Sequence, residues 1–104
     1  MRVVDPTGFA QEQNGIPKTY ELGQNYPNPF NPNTTIQYAL PTRRHVTLTV
    51  FNTLGQIVRE LVNGDFDAGE HDVQFNGSGF SSGVYLYRMQ AGDFVQTRTL
   101  ILLK

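Results

Sequence analysis

After Pro32, apolar and polar residues alternate with a period of two, the mark of half-buried strands. Ile36, Tyr38 and Leu40 oppose Thr35, Gln37 and Ala39 until Pro41-Thr42 breaks the run. Val46, Leu48 and Val50 then oppose Thr47, Thr49 and Phe51, a β-branched stretch suited to a pleated surface. Asn52-Thr53-Leu54-Gly55 predicts a turn, with Gly55 free to take a positive φ. Residues 56–62 fit two patterns. Ile57, Val58, Leu61 and Val62 make a short helical face, yet the same stretch fits a strand with mixed faces. Its shortness and the strands on either side favour strand. Asn63-Gly64 predicts a hairpin turn, and Asp65 to Gly69 a loop. His71, Val73 and Phe75 then face away from Asp72 and Gln74. A Gly- and Ser-rich loop runs from Asn76 to Gly83. Tyr85, Tyr87 and Met89 share one face of the next strand, and Val84, Leu86 and Arg88 the other. Ala91-Gly92-Asp93 makes a tight turn, and Phe94 to Leu103 closes the chain as a long strand.

About seven strands with turns every 8–12 residues predict an all-β sandwich. The connections are too short for parallel crossovers. Upstream, residues 1–19 carry turn signals but no apolar periodicity, and are expected to be a linker or tail leading into a domain over 20–104. Between them, Pro27, Pro29 and Pro32 remove three backbone donors. Each also holds the residue before it in extended backbone. Such a segment cannot be a central strand. Its aromatics, Tyr26 and Phe30, suggest a stiff lead-in clamped on the end of a sheet.

Length and composition narrow the functions. A chain of 104 residues has room for one small domain. Its 8 basic and 9 acidic residues leave a net charge of −1, without the basic excess of a nucleic-acid binder. Cysteine is absent, which excludes disulfides, thiolate zinc sites and a thiol nucleophile. The longest apolar run, Leu100 to Leu103, is far below the ~20 residues that span a bilayer. No basic region followed by an apolar segment opens the sequence, so no signal peptide is read in it.

Catalytic chemistry is not visible. His45 and His71 belong to no motif joining them to each other or to carboxylates. Asp65, Asp67 and Asp72 surround a loop without calcium-loop spacing. Ser78, Ser81 and Ser82 lack a nucleophile-elbow context. Gly77-Ser78-Gly79 precedes no helix, so a phosphate cradle is unsupported. Tyr85 and Tyr87 suit a sandwich core better than a sugar platform. Asn33-Thr34-Thr35 and Asn76-Gly77-Ser78 match the glycosylation sequon, a pattern common by chance. No enzyme, cofactor or metal is expected.

Several blocks together resemble a known family. The run Asn25-Tyr26-Pro27-Asn28-Pro29-Phe30-Asn31-Pro32-Asn33-Thr34-Thr35-Ile36, followed by Tyr38 and Leu40-Pro41, resembles the opening of type A sorting domains of the type IX secretion system. Val50-Phe51-Asn52 with Leu54-Gly55-Gln56 looks like the next block, and Gly69 with His71 like a third. Ser82 to Gly92 resembles the penultimate block, and Leu100 to Lys104 the terminus. Met89 stands where leucine is more usual, and Arg98-Thr99 where paired lysines often occur.

The resemblance implies an immunoglobulin-like β-sandwich, similar to that of the flagellar hook-capping protein, at the end of an exported cargo from a Bacteroidetes–Chlorobi-type bacterium. It implies an outer-membrane translocon and a sortase-like peptidase as partners, with release of the cargo or its attachment to surface lipopolysaccharide. It places recognition on Gly83, Val84, Tyr85, Tyr87, Arg88 and Gly92, and on Leu100, Leu102, Leu103 and Lys104. Tyr26, Pro27, Asn28, Pro29, Phe30, Pro32 and Ile36 are carried over as a structural motif. The last strand is the expected recognition element, because an edge strand offers unpaired backbone to a receptor. Weak self-association through the same strand is the further expectation. The alternative function is a carbohydrate- or surface-binding module, or a structural spacer, in a secreted enzyme.

Overall fold

Alternation of this kind leaves each strand with one apolar face, and two sheets bury those faces against each other. The computed structural model describes residues 16–104 and, upstream, the backbone of two short strands, β1 (Val3–Val4) and β2 (Ala10–Gln11), which pair antiparallel. The 1–19 tail therefore lies mostly outside the described residues. Seven antiparallel strands follow: β3 (Glu21–Leu22), β4 (Asn33–Leu40), β5 (Arg44–Phe51), β6 (Ile57–Phe66), β7 (Gly69–Asn76), β8 (Gly83–Ala91) and β9 (Phe94–Leu102). They form an immunoglobulin-like sandwich of two sheets, ordered β3-β4-β7 and β6-β5-β8-β9. In a constant-type immunoglobulin domain the fourth strand joins the first sheet. Here β6 pairs with β5 in the other.

The core is the set of inward positions read from the alternation. Ile36, Tyr38 and Leu40 of β4 and Phe75 of β7 meet Val46, Leu48, Val50, Tyr87, Met89, Leu100 and Leu102 of the second sheet, all buried. Each fully buried side chain of this size contributes about 1.5–3 kcal/mol relative to leaving it in water.

Two local expectations are corrected. Asn63-Gly64 is not a turn. It lies inside β6, where Asn63 pairs with Thr47 and Gly64 with Val46. A two-residue turn needs the segments flanking it to pair with each other, whereas β6 pairs with the upstream β5. The real reversal is Asp67-Ala68, so Asp65 and Phe66 belong to β6 and Gly69 to β7, not to a loop. The double pattern of residues 56–62 also has a cause. Register shifts between Leu48 and Thr49 and between Val50 and Phe51 let Val58, Leu61 and Val62 all reach the core, as bulges re-aim side chains.

The proline-rich segment is a strap joining the sheets. Its prolyl bonds at Pro27, Pro29 and Pro32 are cis. Tyr26 exchanges both backbone hydrogen bonds with Thr35 of β4, each 2.9 Å. Four residues on, Phe30 pairs in parallel with the end of β9. Phe30 is 2% exposed and packs edge-on to Phe75, while Tyr26 is 77% exposed. Tyr26 thus holds the strap by its backbone, and its side chain clamps nothing in the core.

Candidate functional site

The β8–β9 hairpin and the two residues that follow it, Leu103 and Lys104, hold every recognition residue implied by the resemblance. Gly92 closes it with φ +59, a left-handed conformation that glycine takes without strain. The pairing runs from Ala91↔Phe94 to Gly83↔Leu102. Period two then sorts the side chains. Tyr85, Tyr87, Leu100 and Leu102 point into the core and are buried. Val84 and Arg88 point outward, and Gly92, Leu103 and Lys104 are also exposed. The hairpin therefore presents its outer face and its far edge, while four of the ten residues supply packing. Tyr85 and Tyr87 cannot form a sugar platform from inside the sandwich.

Tyr87 ties the hairpin to the strap. Its hydroxyl donates to the Gly23 carbonyl at 2.7 Å and accepts the Asn25 amide at 2.9 Å. Burial pushes its pKa up to about 12, against the lowering pull of the Asn25 hydrogen bond and of Arg98. The buried Asn25 side chain donates to the Pro27 carbonyl and to Thr34 Oγ1. Arg98 reaches back to the Leu22 carbonyl at 2.6 Å.

The far edge of β9 is covered over its C-terminal half. Phe30 donates its amide to the Ile101 carbonyl at 2.9 Å and accepts the Leu103 amide at 3.0 Å. Asn28 Oδ1 accepts the Ile101 amide, and Gln24 Nε2 donates to the Thr99 carbonyl. Lys104 is held by Ser82 Oγ and the Ser78 carbonyl. Beneath this edge, a Cβ on Gly77 would sit 3.0 Å from Leu102 Cδ2 and 3.3 Å from Phe30 Cε2, so a larger residue there would push on the packing of both. Asn28 came with the structural motif that the resemblance implies, whereas the anchoring roles of Gln24 and Asn25 and the packing role of Gly77 were missed. The strap's only local signal is Asn beside Pro, a common turn composition.

The outer face of the second sheet is partly apolar. Arg88 lies over the Phe51 ring, 4.8 Å from its centroid. Phe51, Gly55, Leu86, Arg88 and Thr97 line a shallow groove of about 290 Å³. Beyond it, Leu54 is 82% and Ile57 66% exposed. The Leu54 turn is fixed by Asn52 Oδ1, which accepts the Leu54 and Gln56 amides.

The other candidates serve the strands that carry them. His45 Nδ1 and Nε2 each lie 2.8 Å from an acceptor, on Asp65 and Asn63. In the charged form both nitrogens can donate, and the hydrogen bond to Asp65, followed by that to Asn63, raises the His45 pKa. Asp67 pairs with Arg43. His71 stacks on Tyr38 and donates to the Asp67 carbonyl. Burial, then the charge of Asp72, pushes Tyr38 to about 12. Among the described residues no three His, Cys, Asp or Glu side chains gather where they could hold a metal ion. Asn33 and Asn76 face each other across β4 and β7, and Asn76 Oδ1 accepts from both the amide and the hydroxyl of Ser78.

Against known proteins, a family model described as "Secretion system C-terminal sorting domain" matches residues 24–103. That span runs from the start of the strap to the end of β9. A search of curated proteins returned no match.

Proposed function

The chain belongs to the secretion system C-terminal sorting domain family, and we propose that it addresses an N-terminal cargo to the outer-membrane translocon of the type IX system through its β8–β9 hairpin. The sorting-signal role for an exported cargo comes with the family. The carrying observation is that the matched span, 24–103, takes in the strap and six of the seven strands of the sandwich, β4 to β9. A sorting signal acts by being recognised, and its family is not a catalytic one. The finer reading is that the domain runs over 20–104, that residues 1–19 link it to the cargo, and that a sortase-like peptidase cuts in that link. The cargo then reaches the medium or the cell surface.

The test is export of a periplasm-directed fluorescent reporter fused ahead of residues 1–104, in a bacterium with a working type IX system and in its translocon-null strain. The expected result is reporter outside the cell in the working strain alone. Reporter kept in the periplasm of both strains, with the domain folded, would refute the reading. Truncating the last residues is a poor probe, because Leu100 and Leu102 are fully buried. Their loss would unfold the domain along with any recognition. Substitutions at the exposed Val84, Arg88 and Leu103 keep the core intact.

A further inference from the structure

A sheet edge with unpaired backbone invites another strand unless something blunts it. Strand β3 is only two residues long. Strand β6 carries Arg59, Glu60 and Asp65, and β7 carries Glu70 and Asp72. Strand β9 is different. The Thr99 carbonyl, both outward groups of Ile101 and the amide of Leu103, just past the strand, are taken by Gln24, Asn28 and Phe30. By the same alternation Thr97 and Val95 also turn their backbone away from β8. Among the described residues nothing pairs with them. Residues 94–99 contain no Pro, Lys, Asp or Glu, and their single charge, Arg98, is turned back onto Leu22.

Charge indicates what fits. Strands β8 and β9 contain no Asp or Glu. Arg88 stands opposite Thr97 in the register. It rests on the Phe51 ring with no ion-pair or hydrogen-bond partner among the described residues. A guanidinium stacked on a ring keeps its N–H edge available to a carboxylate. A second copy added at this edge would bring two such arginines to one face, which like charge opposes.

We propose that the Val95–Thr97 edge of β9 receives an added strand from the export machinery, extended and carrying a carboxylate toward Arg88. The inference rests on the sorting-domain reading and names the part of the hairpin that is read. The added strand would lie about 4.8 Å from β9 and about 10 Å from β8, a span that arginine and glutamate side chains bridge together. Ladder hydrogen bonds supply affinity, and the carboxylate supplies specificity.

The test uses the reporter fusion and the purified 104-residue chain with four variants. Thr97→Pro removes an outward amide while sparing the bonds to β8, a position where an edge strand tolerates proline. Thr97→Lys blunts the edge without touching the backbone, and carries the test if the proline variant does not fold. Arg88→Glu reverses the charge, and Arg88→Lys keeps it. Export should fall at least about tenfold, a ratio worth ~1.4 kcal/mol, for Thr97→Lys, Arg88→Glu and a folded Thr97→Pro, with Arg88→Lys largely retained. Cooperative melting must show that each variant is folded. A folded Thr97→Lys or Arg88→Glu domain exported as well as the unaltered one would overturn the edge assignment and leave the sorting role standing. Failure of the unaltered domain to be exported would defeat the sorting role and the inference together. Sedimentation showing a dimer that Thr97→Lys dissociates would assign the edge to a second copy and overturn the proposal.

Discussion

At the scale of single residues, Gly92 is set by backbone geometry. Its φ of +59 lies in the left-handed region, and a Cβ there would meet Arg44 Nε at 3.2 Å. The exposed Arg44 side chain can move aside only by giving up the hydrogen bond its Nε donates to the Tyr20 hydroxyl at 3.0 Å. Tyr20 in turn stacks on Phe94, the first residue after the turn. Gly92→Val combines a β-branched side chain with this φ, at a cost of about 2 kcal/mol. The melting temperature should drop by roughly 10 °C, readable by calorimetry, and an unchanged value would refute the assignment. Gly92 was legible because a tight turn between two periodic strands needs such a residue. His45 was not. Its partners Asn63 and Asp65 face it only because β6 runs on through Asn63-Gly64, where local composition signals a reversal. Pairing with β5 overrode the dipeptide.

At the scale of elements, the strap is the least regular part of the chain and joins both sheets. The prolines made it legible as extended and excluded it from a sheet centre. They did not reveal which aromatic anchors it, since Tyr26 and Phe30 look alike in sequence and differ in what lies beneath them. Phe30→Ala should cost about 3–5 kcal/mol, the range for emptying a buried aromatic site. Hydrogen exchange at the Ile101 and Leu103 amides should quicken with it, because Asn28 and Phe30 hold both. Tyr26→Ala, on an exposed side chain, should move stability by no more than about 0.5 kcal/mol. Denaturant titration of the two variants separates a side-chain anchor from a backbone one. Equal losses would mean that the strap is held by something other than Phe30.

At the scale of the whole molecule, two buried tyrosines link the sheets to what lies around them. The alternation made both legible as core, but not where their hydroxyls go. Tyr38 stacks on His71, and the Tyr87 hydroxyl crosses from the second sheet to the strap leaving the first. Which strands share a sheet was likewise hidden, since β6 reads the same whether it joins β7 or β5. Both phenols are held at about 12, chiefly by burial, whereas an unfolded tyrosine titrates near 10. A raised folded pKa means that the native state keeps a proton that the unfolded chain gives up. Their contribution is therefore fully present below about pH 10 and lost as the pH climbs toward 12. Tyr87→Phe tests this at two levels. It strands the Gly23 carbonyl and the Asn25 amide in the interior, which should cost about 1–3 kcal/mol at neutral pH. It also removes one of the two titrating phenols, so its stability should fall less steeply above pH 10. Denaturant midpoints from pH 8 to 11 for both proteins measure the two effects together. A variant that is weaker at neutral pH yet equally steep in alkali would show that the Tyr87 hydroxyl is an anchor for the strap without being a proton held by the fold.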